Sequence, residues 1–228
     1  MKLFPLELPN KPILNISKIS RKIKINVTVP SGSSESIVII SNGSPDDIVF
    51  GILSFHSDGK ELVGIVKPPR ITRIAVLDII KTYLLKLKPR IKKMLILMDQ
   101  EEDNLNDIFD KCKRRLIKNN ISITNEEEEL RLKVYDCKYV DREFKIILVI
   151  NGLDEIDVKK HRIEDHLIKA ACLFLKDFKP KVNDSKKAWE SLGKRQQIDI
   201  LRMLKEKKKE AHLIFSQHFK GLEYLEMG

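Results

Sequence analysis

The stretch Met94-Leu95-Ile96-Leu97-Met98 is apolar at every position and ends in Asp99-Gln100-Glu101-Glu102-Asp103. A short run of this kind reads as a strand buried on both faces, as in parallel sheets covered by helices on each side. Ser36-Ile37-Val38-Ile39-Ile40 has a fully apolar centre, and the run from Phe144 to Ile150 is apolar but for Lys145, so both read as central strands. Each is followed by a glycine turn and acids, Asn42-Gly43-Ser44-Pro45-Asp46-Asp47 after the first and Asn151-Gly152-Leu153-Asp154-Glu155 after the last. Open α/β sheets place their ligands beyond the carboxyl ends of such strands.

The segments between the strands fit this plan. Gly43 permits a tight turn, Ser44 can cap, Pro45 suits the first helical position, and Asp46 and Asp47 favour the first turn of a helix. Glu61 to Val66 reads as a short strand stopped by Pro68-Pro69, and Ile71 to Leu87 as a helix closed by Pro89. Leu105, Ile108, Phe109, Cys112 and Leu116 have helical spacing, so a helix follows the acids of the Met94 strand. Lys22 to Val29 alternates as a half-buried strand should, and residues 1–20 read as an extended arm. Glu126 to Glu129 is expected to be a solvated loop or strand entrance, with Leu130 to Val134 an edge strand pairing with the Phe144 strand through the turn at Val140 to Arg142.

After Pro180 the chain becomes lysine-rich, with Trp189, Leu192, Ile198, Leu201 and Leu204 forming an apolar stripe. The division expected is an N-terminal arm and strand over 1–30, an α/β domain of four or five mainly parallel strands over 31–180, and basic C-terminal helices over 181–228 packed on it. Cys112, Cys137 and Cys172 show no CxxC spacing, and Cys112 and Cys172 fall among apolar helix residues, as core fillers do.

Lys and Arg number 43 against 33 Asp and Glu, a net charge of +10 that suits a polyanionic partner. Lys186, Lys187, Lys194, Arg195, Lys207 and Lys208 are the expected phosphate contacts on DNA or RNA. No apolar run approaches the length of a membrane span, and the N-terminus lacks a signal-peptide layout, so no membrane partner and a cytoplasmic location are expected.

Three carboxylate-bearing sites can be compared, at Asp99 and Glu101, at Glu164 and Asp165, and at Asp46 and Asp47 after the Gly43 turn. Asp99 and Glu101 leave a strand one residue apart, so on an extended backbone both point to the same side and could reach one hard cation. His161 and Glu164 have the spacing of a helical pair, beside Asp165 and His166. The Gly43 turn has neither a second glycine nor a Lys-Ser/Thr pair, which excludes the usual nucleotide-binding loops.

The order of these motifs resembles a Toprim domain: an apolar strand ending in Asn42-Gly43 before an Asp-bearing helix start, a later strand ending in Asp99-Gln100-Glu101, and a further strand followed by Ile163-Glu164-Asp165. It is most similar to small archaeal Toprim-like proteins and the Toprim half of OLD-family nucleases, over about residues 35 to 175. The resemblance implies Mg²⁺ held by Asp99, Glu101, Asp103 and Glu164, with Asp99 and Glu101 as catalytic residues, and, in an active form, a Mg²⁺- or Mn²⁺-dependent phosphodiesterase. Two positions depart from the family. Asn42 stands where it has a glutamate, and Glu101 where it has a second aspartate. An amide cannot shuttle a proton near neutral pH, so binding or weak cleavage of nucleic acid is expected ahead of robust catalysis. The alternative is a non-catalytic structural or regulatory module that pairs with a protein partner or with its own copies.

Overall fold

Strands that are apolar throughout are stable only where both faces are covered, and the chain supplies a helical layer for each. The computed structural model describes residues 2–5, 7–8, 11–12, 22–25, 34–41, 45–57, 62–68, 71, 73–87, 91–180 and 183–226. The described elements begin with β1 (Lys2–Pro5), β2 (Glu7–Leu8), β3 (Lys11–Pro12), β4 (Ser36–Ile40), α1 (Asp46–His56) and β5 (Leu62–Val66). A 3-10 helix (Arg73–Ile79) runs into α2 (Ile80–Lys86), followed by β6 (Lys93–Asp99), α3 (Leu105–Lys118), β7 (Ser122–Glu129), β8 (Leu132–Tyr139) and β9 (Arg142–Asn151). The chain closes with α4 (Ile163–Phe174), α5 (Ser185–Ser191), α6 (Lys194–Glu206), α7 (Lys208–Ile214) and α8 (Ser216–Glu226).

Seven strands form one sheet in the order β1-β5-β4-β6-β9-β8-β7. The pairings from β1 across to β9 are parallel, and β8 and β7 are added antiparallel. The protein is therefore α/β with a mostly parallel sheet, but with more strands than the expected four or five. One extra strand is β1, from the stretch expected to be an arm. The other is β7, which contains Glu126 to Glu129. It forms the sheet edge in place of β8, because lysines flank its acids: Lys133 bonds Glu128 at 2.7 Å, and Lys113 bonds Glu126 at 3.0 Å. Charged residues on an outermost strand also discourage pairing with another chain.

The alternation of each strand sorts the core. Leu95, Leu97, Ile147 and Val149 face α1, α4 and the four C-terminal helices. Met94, Ile96, Met98, Ile146, Leu148 and Ile150 face the 3-10 helix, α2 and α3. Trp189, Leu201, Leu204, Phe215 and Leu222 belong to the first of these cores, so α5 to α8 complete a layer of the sheet and are not an appendage. Gly221 lets α8 lie close to the sheet, since a Cβ there would stand 2.6 Å from Val149 Cγ2 and 3.2 Å from Leu95 Cδ1. Gly221→Ala is expected to cost about 1–3 kcal/mol through this overlap. Urea denaturation checks it, and an unchanged midpoint would contradict the tight seating.

Two local expectations are corrected. Within the expected strand at Lys22 to Val29, none of the described residues Lys22 to Ile25 is a strand: Lys22 is helical and Ile23 and Lys24 turn, with Lys24 at φ 56°, although Ile23 and Ile25 are buried as alternation required. Cys172 is exposed, whereas Cys112 and Cys137 are buried. Among the described residues no helix is long and apolar enough to cross a membrane.

Candidate functional site

The chain leaves β4 through α1 toward β5 on one side and returns from β5 to β6 on the other, so the strand order reverses between β4 and β6. The crevice beyond the carboxyl ends at such a reversal is the usual ligand position of an open α/β sheet. Asp46 opens α1 just after β4, and Asp99 is the last residue of β6. Both carboxylates are buried there.

Asn151, the last residue of β9, is paired in register with Asp99 and is fully buried. Its Nδ2 donates to Asp46 Oδ1 and to Asp99 Oδ1, each at 2.8 Å. Asp99 Oδ1 also accepts from the Ile163 backbone amide at 3.2 Å, at the start of α4. Glu164, one residue on, is buried beside them. Burial, then the neighbouring charge of Asp99, pushes the Glu164 carboxyl up to about 7. Burial is also the main cause that raises Asp99 to about 6, with the Glu101 charge adding to it. Asp46 is raised well above the carboxylate range by burial and by the charges of Asp99 and Glu164. Near neutrality this edge therefore shares protons among its acids.

The far side of Asn151 is held by α8. His218 Nε2 donates to Asn151 Oδ1 at 2.8 Å. Next to it, His166 Nδ1 donates to the Ile214 carbonyl at 2.7 Å, so its Nε2 can accept from the Gly152 amide at 3.4 Å and from Gln217 Nε2 at 3.0 Å. Burial holds His166 down at about 3, and it holds His218 well below the usual histidine range. Both rings are neutral parts of a polar core.

The residues singled out in the sequence fall into three groups. Asp99 and Glu164 meet at the edge. Glu101 does not join them. It adopts φ 60°, exchanges backbone hydrogen bonds with His161, and lies in the fork of Arg162, whose Nε and Nη2 donate to its two oxygens at 2.9 and 2.8 Å. Asp103 is likewise taken up, by Arg73 at 2.6 Å and Lys111 at 2.7 Å. Asn42 lies outside the described residues. His161 precedes α4 and bonds Asp165 at 2.8 Å, so it forms no helical pair with Glu164. Lys186, Lys187, Lys194, Arg195, Lys207 and Lys208 are all exposed, on the first turns of α5, α6 and α7 or the residue before.

Sequence reasoning misses three participants. Asp46 reads as a helix-start acid, and the helix dipole alone is reason enough for it to stand there. Asn151 reads only as part of a glycine turn. His218 reads as a surface or partly packed residue, although Phe215, Phe219 and Leu222 at helical spacing around it mark a buried face.

The carboxylates suit a hard cation chemically, since Asn151 engages only one oxygen of each aspartate. Among the described residues, however, no group of three His, Cys, Asp and Glu side chains could hold a metal ion as they stand. Of the four residues expected to hold Mg²⁺, Glu101 and Asp103 are engaged by Arg162 and by Arg73 and Lys111, and only Asp99 and Glu164 meet at the edge. Comparison with family models, curated proteins and solved structures gave no match to this chain.

Proposed function

We propose that the chain is a Toprim-like protein that binds DNA or RNA across the carboxyl edge of its sheet and holds the polymer without cutting it. The observation that carries this reading is the closeness of the basic C-terminal helices to the acidic edge: α5, with Lys186 and Lys187 exposed on its first turn, packs against α4, whose first turn carries Glu164. A phosphate backbone following Lys186 and Lys187 would pass over the crevice between β4 and β6. Binding is favoured over hydrolysis for two reasons. Glu101 already has Arg162 as its partner, and an amide stands at 42, where proton transfer would need an acid or base.

A fluorescently labelled oligonucleotide titrated at increasing salt tests this. Affinity should fall steeply with salt, and Lys186→Glu with Lys187→Glu should flatten the dependence by about 0.7–0.9 log units per log of salt for each phosphate no longer neutralised. The oligonucleotide should also remain intact with Mg²⁺ or Mn²⁺ present. Absence of binding at low salt would overturn the proposal, as would metal-dependent cleavage that disappears in Asp99→Ala.

A further inference from the structure

Resting on that reading, we infer that the nucleic acid continues from the sheet edge onto the outer face of α3, on the side of the sheet opposite the C-terminal helices. Lys111, Arg114, Arg115 and Lys118 recur at i, i+3, i+4 and i+7 and share one helix face. With Ile74 they line a single cavity of about 370 Å³. The helix dipole accounts for cations in the last turn, Arg115 and Lys118, but not for Lys111 and Arg114 in the middle. Asp107 and Asp110 lie in the first half of the same helix, so its positive field is strongest over the second half.

Local neutralisation of this stripe is incomplete. Asp103 serves both Arg73 and Lys111, and Asp78 serves Arg115 while lying within the field of Lys118. Arg114 donates to the neutral Asp110 carbonyl at 3.3 Å. The stripe also starts from the turn that follows Asp99, because Gln100 Nε2 donates to the Asp103 carbonyl at 2.8 Å, and Asp103 holds Lys111. From Lys111 to Lys118 it runs about 10 Å along the helix. Basic side chains therefore flank the acidic edge on both faces of the sheet, and a strand crossing it meets phosphate partners before and after.

The test uses the full chain carrying Arg114→Glu and Lys118→Glu, with Arg114→Gln and Lys118→Gln as the neutral counterpart. Both positions are exposed, and thermal melting like that of the wild type verifies the fold. With a labelled single-stranded oligonucleotide, the log–log salt slope should become shallower by about 1.4 in the Gln pair, at about 0.7 per phosphate. The Glu pair should show a further loss of affinity. If the wild type binds and both variants keep its slope, the α3 path is wrong while the proposed function stands. If the wild type does not bind, both readings fall. Capture of the wild type by anionic lipid vesicles, abolished in the variants while oligonucleotide binding persists, would assign the stripe to a membrane surface and overturn the inference.

Discussion

Asn151→Ala should lower folding stability by about 3–5 kcal/mol, since each of the buried groups it leaves without a hydrogen-bond partner costs about 1–3 kcal/mol. The wild-type amide donates to Asp46 and Asp99 and accepts from His218. Alanine removes the donor from two carboxylates and the acceptor from an imidazole N–H, in a region with little water to replace them. The loss should shrink at pH 5, where both aspartates hold protons more often. Chemical denaturation at pH 8 and pH 5 measures both values. A loss below about 1 kcal/mol at pH 8 would show that the edge is held by something other than this bridge.

Glu164→Gln is expected to stabilise the protein at pH 8 by about 1–3 kcal/mol. In the fold Glu164 titrates at about 7 instead of its ordinary 4.5, chiefly through burial and next through the Asp99 charge. Between those values the folded state holds a proton that the unfolded chain releases. The stabilisation it provides is therefore complete below pH 4.5 and lost as pH rises through 7. Asp99 behaves in the same sense between 3.8 and about 6. The buried histidines oppose this. His166, held at about 3, is neutral in the fold, so its contribution is lost as pH falls below 6.5. A glutamine keeps the shape of the protonated acid and should raise the melting temperature at pH 8, with the gain vanishing near pH 4.5. No gain at pH 8 would mean that the ionised carboxylate has an offsetting partner.

Much of the frame was legible because β4, β6 and β9 have unbroken apolar centres, a pattern with few other uses in a chain of this composition. β7 was not, since its stability comes from partners on Lys113, Lys133 and Tyr224 and not from burial. At the site, Asp99 could be read because helix-start electrostatics do not explain an acid still within the strand. Glu101 is misplaced by carrying strand alternation one step too far. β6 ends at Asp99, and the left-handed backbone at Glu101 turns its side chain toward Arg162. Asp46 and His218 depend on a partner 105 and 67 residues away, which local spacing cannot reveal.

The hydrogen bond between His218 and Asn151 also bears on the order of synthesis. Asn151 emerges from the ribosome 67 residues ahead of the ring that completes its bonding, an interval on the order of seconds at ordinary elongation rates. Throughout that interval the acidic edge waits half-satisfied while the apolar face beneath α8 stays uncovered. A nascent chain of this protein would be at its most aggregation-prone after its sheet is fully made and before α8 has emerged.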